Sequence, residues 1–366
     1  MNLTSNQQAF FELLRAGLWE QEARPSMLET IDIKDVCRIA EEQSVVGLVA
    51  AGLEHMKEVR VPKEDVLQIV GQALQLEERN KAMNAFLAEL IELLRKKDVY
   101  VILVKGQGIA QCYERPQWRA CGDVDLLLSG SNYEKAKKVL VPQAVDVENE
   151  YKTFKHLGLT MQGGVVVELH GTLHSRLSKR VDKVIDDAQN NVFYGGCVRS
   201  WKNGKTTVFL PKPDDDVLFV FTHILHHYYI EGVGLRQICD WCRLLWTYRF
   251  EIDVKLLEKR LRKAGLMSEW RAFAALAVDW LGMPVVAMPL YSSDKKWSRK
   301  ANRIIAFVLE CGNFGHNRQV TGGKIGSVWS KTRDFARHAL VFPIDSIKFF
   351  WHFLWNGIGL ALTNNK

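Results

Sequence analysis

Asp123 and Asp125 stand two residues apart in an otherwise apolar run, Asp123-Val124-Asp125-Leu126-Leu127-Leu128, and this alternation constrains the fold more than any other feature of the chain. Such a run reads as a strand, whose side chains alternate between faces. Both carboxylates therefore leave one face, within reach of a common divalent ion, while Val124 is buried behind them. Two like charges so placed need a cation. A third acid, Glu168, sits in Val165-Val166-Val167-Glu168-Leu169-His170, a second predicted strand. Apolar neighbours make an acid costly there unless it faces a ligand. Three convergent acids suggest magnesium, and a bare interaction module would leave them without a reason.

Upstream, Val99-Tyr100-Val101-Ile102-Leu103-Val104 is a continuous β-branched and aromatic run, predicting a buried strand that ends at Lys105-Gly106. Gly106 and Gly108 predict a tight turn, followed by a helix from about Gln107 to Tyr113 and a loop with Pro116 and Arg119. The backbone amides of a turn like this can hold phosphate oxygens, so cation site and phosphate turn belong together. Beyond the Asp strand, Ser131 opens a helix reaching about Leu140. Strands near Lys155 to Met161 and Val165 to His170 are joined by Gln162-Gly163-Gly164, and a second hairpin, Gly196 to Trp201 and Lys205 to Leu210, turns at Asn203-Gly204. One sheet of several strands with flanking helices is expected here.

The flanks read as helical. Phe11, Leu14 and Leu18, then Val36, Ile39 and Ala40, then a stripe from Leu67 to Leu94 repeat every three or four positions. Pro211 and Pro213 mark the next boundary, and Asp214-Asp215-Asp216 is an acidic helix start that complements the helix dipole. Helices follow to Gly282, then a basic, aromatic tail from Lys295 to Lys366. With 366 residues, more than one packed unit is expected: a helical region over 1–98, an α/β core over 99–210 and a helical region over 211–366, an α+β fold.

No run of 18 apolar residues occurs, and Phe342 to Leu362 is interrupted by Asp345, Lys348, His352 and Asn356. The aromatic tail could lie weakly on a membrane surface, but packing on the chain's own core is the preferred reading. Seven cysteines, an odd number, and an opening without a secretory signal pattern read as reduced thiols in a cytoplasmic protein. Cys239 and Cys242 have the spacing of a redox or zinc pair but lack a second pair, and read as buried thiols. The net charge of +7 suits a phosphate-bearing ligand without requiring one. No basic stripe with interleaved aromatics surrounds the acids, which disfavours nucleic acid as partner. His223 and His227 lie four apart on one predicted helix; zinc binding, a structural polar cluster and a pocket wall are all open readings. His170, near Glu168, reads as a site neighbour.

The order of strand, glycine turn, helix, Asp-x-Asp strand and a later strand with one more acid resembles the nucleotidyltransferase superfamily that includes DNA polymerase β. A closer similarity is to a family of uncharacterised bacterial nucleotidyltransferases. It rests on Lys105-Gly106, Tyr113, Pro116, Arg119 and Gly122-Asp123-Val124-Asp125-Leu126-Leu127, on Val167-Glu168-Leu169-His170, and on His223, His227, Arg236 and Asp240. The resemblance implies transfer of a nucleotidyl group from a nucleoside triphosphate to an acceptor hydroxyl; the lack of a basic stripe favours a small molecule or a protein as that acceptor. It implies two magnesium ions, with Asp123 and Asp125 as ligands and Glu168 completing the second site or activating the acceptor. Lys105, Gly106, Gln107, Arg119 and His170 would meet the nucleotide, Lys105 and Arg119 neutralising phosphate charge. His223, His227, Arg236 and Asp240 would wall the pocket. The superfamily's common turn is Gly-Gly or Gly-Ser, whereas here Gln107 follows Gly106, so a serine contact to triphosphate is absent. That departure is the one hint of the alternative, a catalytically inactive nucleotide-binding or scaffold protein.

Overall fold

Among the described residues, four α-helices precede the first strand: α1 (Ser5–Trp19), α2 (Ile33–Glu42), α3 (Val46–Glu54) and α4 (Lys63–Arg95). The computed structural model describes residues 3–23, 31–56, 62–151, 155–196, 198–230, 232–315, 317 and 332–351. A capping box starts α1, the Thr4 hydroxyl accepting from the Gln7 amide while the Gln7 side chain accepts from Thr4. Glycines then let backbones touch: a Cβ at Gly17 would lie 1.9 Å from the Leu48 carbonyl oxygen, so α1 and α3 approach only because it is absent. The helix α4 ends at a left-handed Asp98, and Val99 N donates to Leu94 O at 3.0 Å. Closing that helix takes up the residues expected to begin the first strand. β1 is therefore only Ile102–Val104, although Val99 and Val101 are buried as their apolar character requires.

After β1 come α5 (Gly106–Ala110), β2 (Asp123–Leu127), α6 (Gly130–Leu140), β3 (Asp146–Val147), β4 (His156–Thr160) and β5 (Val166–His170). The strands form one mixed sheet in the order β1-β2-β5-β4-β3, with β2 and β5 parallel and the other pairs antiparallel. One face, carrying Leu103, Val124, Leu126, Leu157, Leu159, Val167 and Leu169, packs on Leu87, Leu90, Ile91 and Leu94 of α4 and on Tyr133, Ala136 and Leu140 of α6. Burying that face leaves the opposite one, with Asp123, Asp125, Glu168 and His170, as the polar side.

The second hairpin does not extend this sheet as expected. Its strands β6 (Val198–Asn203) and β7 (Thr206–Pro211), which follow α7 (Lys179–Tyr194), form a separate two-stranded sheet. Side chains rather than a ladder attach it: Val208 and Leu210 enter the core beside Leu103, and a Cβ at Gly108 would meet Leu210 at 2.6 Å.

The remaining helices are α8 (Pro213–Ile230), α9 (Leu235–Thr247), α10 (Val254–Ala264), α11 (Met267–Asp279) and α12 (Lys295–Cys311), followed by helical turns over 332–339 and 343–351. The acids opening α8 do more than face its dipole. Asp215 is fully buried and accepts from Arg260 Nη2 at 2.7 Å, and buried Asp216 pairs with Arg199, which ties α10 and the β6–β7 hairpin to α8. A large apolar cluster joins α1–α3 to α8, α9, α11 and α12, with the Phe11 and Trp280 rings 5.3 Å apart. Cys239 and Cys242 sit inside it as buried free thiols, their ionisation pushed up by burial. In the tail, Phe335, Phe342 and Phe349 join this core, while Ile344, Ile347 and Trp351 stay exposed. The part of the tail beyond residue 351 lies outside the described residues. Among the described residues, no helix is long and apolar enough to cross a membrane.

Candidate active site

Strand register assembles the site. Asp125 of β2 stands directly beside Glu168 of β5, and Asp123 beside Val166, so the three carboxylates share the polar face of two adjacent parallel strands. At the end of β1, Lys105 has φ 59° and ψ −147°, a conformation side chains rarely adopt, and Gly106 follows at φ 44°. This sharp turn aims the Lys105 ammonium back at the sheet, with Nζ 2.8 Å from Asp125 Oδ1. The same oxygen is 2.8 Å from His170 Nε2, which is also 3.2 Å from Glu168 Oε2.

The charges respond to these contacts. The neighbouring Asp125 carboxylate, and then burial, raise the Asp123 carboxyl above its ordinary range. Burial opposes charge on Asp125 and Glu168 too, but for Asp125 the Lys105 cation and His170 outweigh it, and for Glu168 hydrogen bonds from His156 and His170 do so. Both are held low. Burial works against the His170 cation, yet hydrogen bonds to Asp125 and Glu168 hold its pKa above the ordinary value. The three carboxylates share this face with the Lys105 ammonium and the His156 and His170 imidazoles. Asp123 and Asp125, a pair of hard oxygen donors, fit a magnesium ion.

The polar face opens into a cavity of about 480 Å³. Lys105, Gly106, Asp123, Asp125, Glu168 and His170 line it from the sheet side, and His223, His226, His227, Arg236 and Asp240 from α8 and α9. His223 and His227 face each other with Nε2 atoms 3.1 Å apart, and burial together with the nearby Lys105 cation holds His223 well below its ordinary pKa. Among the described residues no third ligand joins these two ring nitrogens, and both side chains stand in the cavity wall. Arg236 Nη1 donates to Ala120 O at 3.0 Å, supporting the loop ahead of β2.

Two expected nucleotide contacts are placed otherwise. Gln107 is buried, and its side chain turns away from the cavity to donate to Asn80 Oδ1 at 2.9 Å. Asn80, on α4, in turn donates to Gln117 O at 2.6 Å and Arg119 O at 2.8 Å, so Gln107 helps anchor the loop leading into β2. Arg119 reaches the cavity lining, but its guanidinium fork is engaged by Asp240, with Nε and Nη2 donating at 2.8 and 2.7 Å, and Nη1 donates to Ala120 O. Tyr113 also donates to Asp240, at 2.8 Å. The buried guanidinium thus has its donors engaged within the cavity wall.

Sequence reasoning missed His156. It lies on β4 directly across from His170, and its Nε2 is 3.2 Å from Glu168 Oε2. The signal was available: His156 and His170 are equidistant from Gly163 at the hairpin turn, so antiparallel pairing across that turn brings them opposite one another.

A mixed sheet with an Asp-x-Asp strand beside a glutamate strand, flanked by helices, defines an α+β nucleotidyltransferase-type fold. The family described as uncharacterised nucleotidyltransferase matches residues 29–282, and the chain belongs to it. The matched span contains every cavity residue named above. No curated protein and no solved structure matches the chain.

Proposed function

We propose that the protein is a metal-dependent nucleotidyltransferase that moves a nucleoside monophosphate from a nucleoside triphosphate to an acceptor hydroxyl on a small molecule or a protein. The observation that carries this reading is the register that sets Glu168 beside Asp125 on the face shared with Asp123. In the reaction, the acceptor oxygen bonds to the α-phosphorus and the bond to the bridging oxygen breaks, with pyrophosphate and a proton as the other products. Asp123, Asp125 and Glu168 would hold two divalent ions, which when bound supply charge neutralisation and a clamp on the attacking and leaving oxygens. Lys105, with Nζ 2.8 Å from Asp125 Oδ1, supplies a point charge to the phosphates. Glu168, beside Asp125 on the same face, completes the second cation site or activates the acceptor hydroxyl. His223 and His227, kept beside the cavity, border the acceptor or the base.

The alternative of an inactive scaffold drew on Gln107, whose side chain faces Asn80 and bears on loop anchoring instead. The two readings separate on pyrophosphate release from a panel of nucleoside triphosphates with magnesium and fractionated lysate as acceptor source. Asp123→Asn and Glu168→Gln should each slow release by about 10²-fold or more with folding intact. Release unchanged in both variants, or none from the wild type across the panel, would overturn the proposal.

A further inference from the structure

Beside the aspartate pair, the hairpin of β4 and β5 builds a second donor set of different chemistry. Glu168 and His170 are two apart on β5 and so share a face, and His156 is the cross-strand partner of His170. Their ligand atoms, His156 Nε2, Glu168 Oε2 and His170 Nε2, all lie within 4.8 Å of one another. Both imidazoles bring the same ring nitrogen to the same carboxylate oxygen, each at 3.2 Å. That distance is at the long end for an N–H···O hydrogen bond, which runs about 2.7–3.2 Å. It is the spacing of ligands around one ion, because two donors each about 2.1 Å from a metal and about 100° apart are about 3.2 Å from each other. Imidazole nitrogens select borderline ions of the zinc class, whereas magnesium prefers all-oxygen sites.

We infer that the polar face carries two chemically distinct cation sites: an all-oxygen one at Asp123 and Asp125, and a His156–Glu168–His170 site that takes a zinc-class transition ion. This deepens the proposed function and rests on it for the neighbouring nucleotide, while binding of the ion itself is read without any nucleotide. The sites are coupled through His170, whose Nε2 is also 2.8 Å from Asp125 Oδ1. Ligation of His170 at that nitrogen removes one of the two contacts on Asp125 Oδ1, the other being Lys105 Nζ at 2.8 Å.

The test uses the full chain, stripped by chelator, with Co²⁺ as a spectroscopic probe. Visible ligand-field bands should appear on Co²⁺ addition, disappear with stoichiometric Zn²⁺ and persist in millimolar Mg²⁺. His156→Gln should weaken Co²⁺ binding by about 100-fold or more, since even the loss of a residue that merely supports a ligand costs 10–100-fold. His156→Cys should retain binding and add a near-ultraviolet thiolate-to-cobalt band, which also shows that a variant at this position folds. Asp123→Asn should leave the Co²⁺ spectrum intact while lowering magnesium-dependent nucleotide binding. Bands unchanged in His156→Gln, no thiolate band in His156→Cys, or displacement of Co²⁺ by Mg²⁺ would each overturn the inference. Pyrophosphate release at full rate with magnesium alone, combined with any of those results, would leave the proposed function standing without it. Co²⁺ binding as expected in a protein that releases no pyrophosphate would uphold the site and sink the function.

Discussion

Arg119 and Asp240 form a buried bidentate ion pair between residues 121 positions apart in the chain, joining the loop ahead of β2 to helix α9. Side-chain exposure is 4% and 5%, so neither charge has water to fall back on. Removing one partner strands the other. Asp240→Ala is expected to destabilise the fold by about 3–5 kcal/mol, and Arg119→Met by a comparable amount. Joint replacement by apolar residues should lose less than the sum of the two, and denaturant unfolding of the four proteins measures that coupling. A large loss of triphosphate affinity in Arg119→Met with unchanged stability would instead place the guanidinium on phosphate.

Gln107 provides a second check on what the turn does. Serine there would match the superfamily's common turn, yet it would cut the bond to Asn80 that steadies the Gln117 and Arg119 carbonyls. Gln107→Ser should therefore cost about 1–2 kcal/mol, the usual loss for a buried hydrogen bond whose partner is left unpaired. Triphosphate affinity, read by calorimetry, should not rise. A gain in affinity without loss of stability would return the residue to the phosphate site.

Much of this site was legible because strand alternation is a rigid rule. Once Asp123-Val124-Asp125 and Val167-Glu168-Leu169 read as strands, the face that each acid takes follows from the burial of Val124, Val167 and Leu169. Which strands lie side by side does not follow. The parallel pairing of β2 with β5, and the exclusion of the β6–β7 hairpin from that sheet, depend on contacts between distant segments. Side-chain destinations were likewise hidden. The resemblance gives Arg119 to phosphate until a carboxylate from α9 arrives beside it, and the acidic start of α8 reads only as a complement to the helix dipole until Arg199 and Arg260 reach it. Local periodicity carries no information about such partners.

Lys105 combines a charge with a strained backbone, and two substitutions separate them. Lys105→Ala and Lys105→Gly both delete the ammonium that lies 2.8 Å from Asp125, so both should weaken triphosphate binding, by about 10-fold or more, and nucleoside binding far less. Stability should differ. At φ 59° a β-carbon is disfavoured by about 1–2 kcal/mol, so the glycine variant should be the more stable of the two by about that amount. Equal stability would mean that the turn relaxes to an ordinary conformation once the lysine is gone.

Glu269 on α11 carries the clearest expected pH signature outside the cavity. Its side chain is fully buried, Tyr229 Oη donates to Oε1 at 3.3 Å, and Asp345 and Lys300 approach it from the other elements packed there. Burial, with Asp345 adding to it, pushes the carboxyl up from 4.5 to about 8. In the unfolded chain the group titrates near the ordinary value. Between those two pH values the folded protein keeps a proton that the unfolded chain has released, so stability falls as pH rises. This contribution is fully present below about pH 4.5, declines by up to about 1.4 kcal/mol per pH unit through the window and levels off above about pH 8. Glu269→Gln keeps the size and a hydrogen-bonding group but removes the titration. The expected outcome is that the variant and the wild type have similar unfolding midpoints near pH 4.5 and diverge steadily up to pH 8, with the variant higher. Urea unfolding at half-unit intervals from pH 5 to 9 measures the difference curve, in which all other titrating groups cancel. Parallel curves across that range would show that Glu269 is ionised in the folded protein, stabilised by Lys300 against both burial and Asp345.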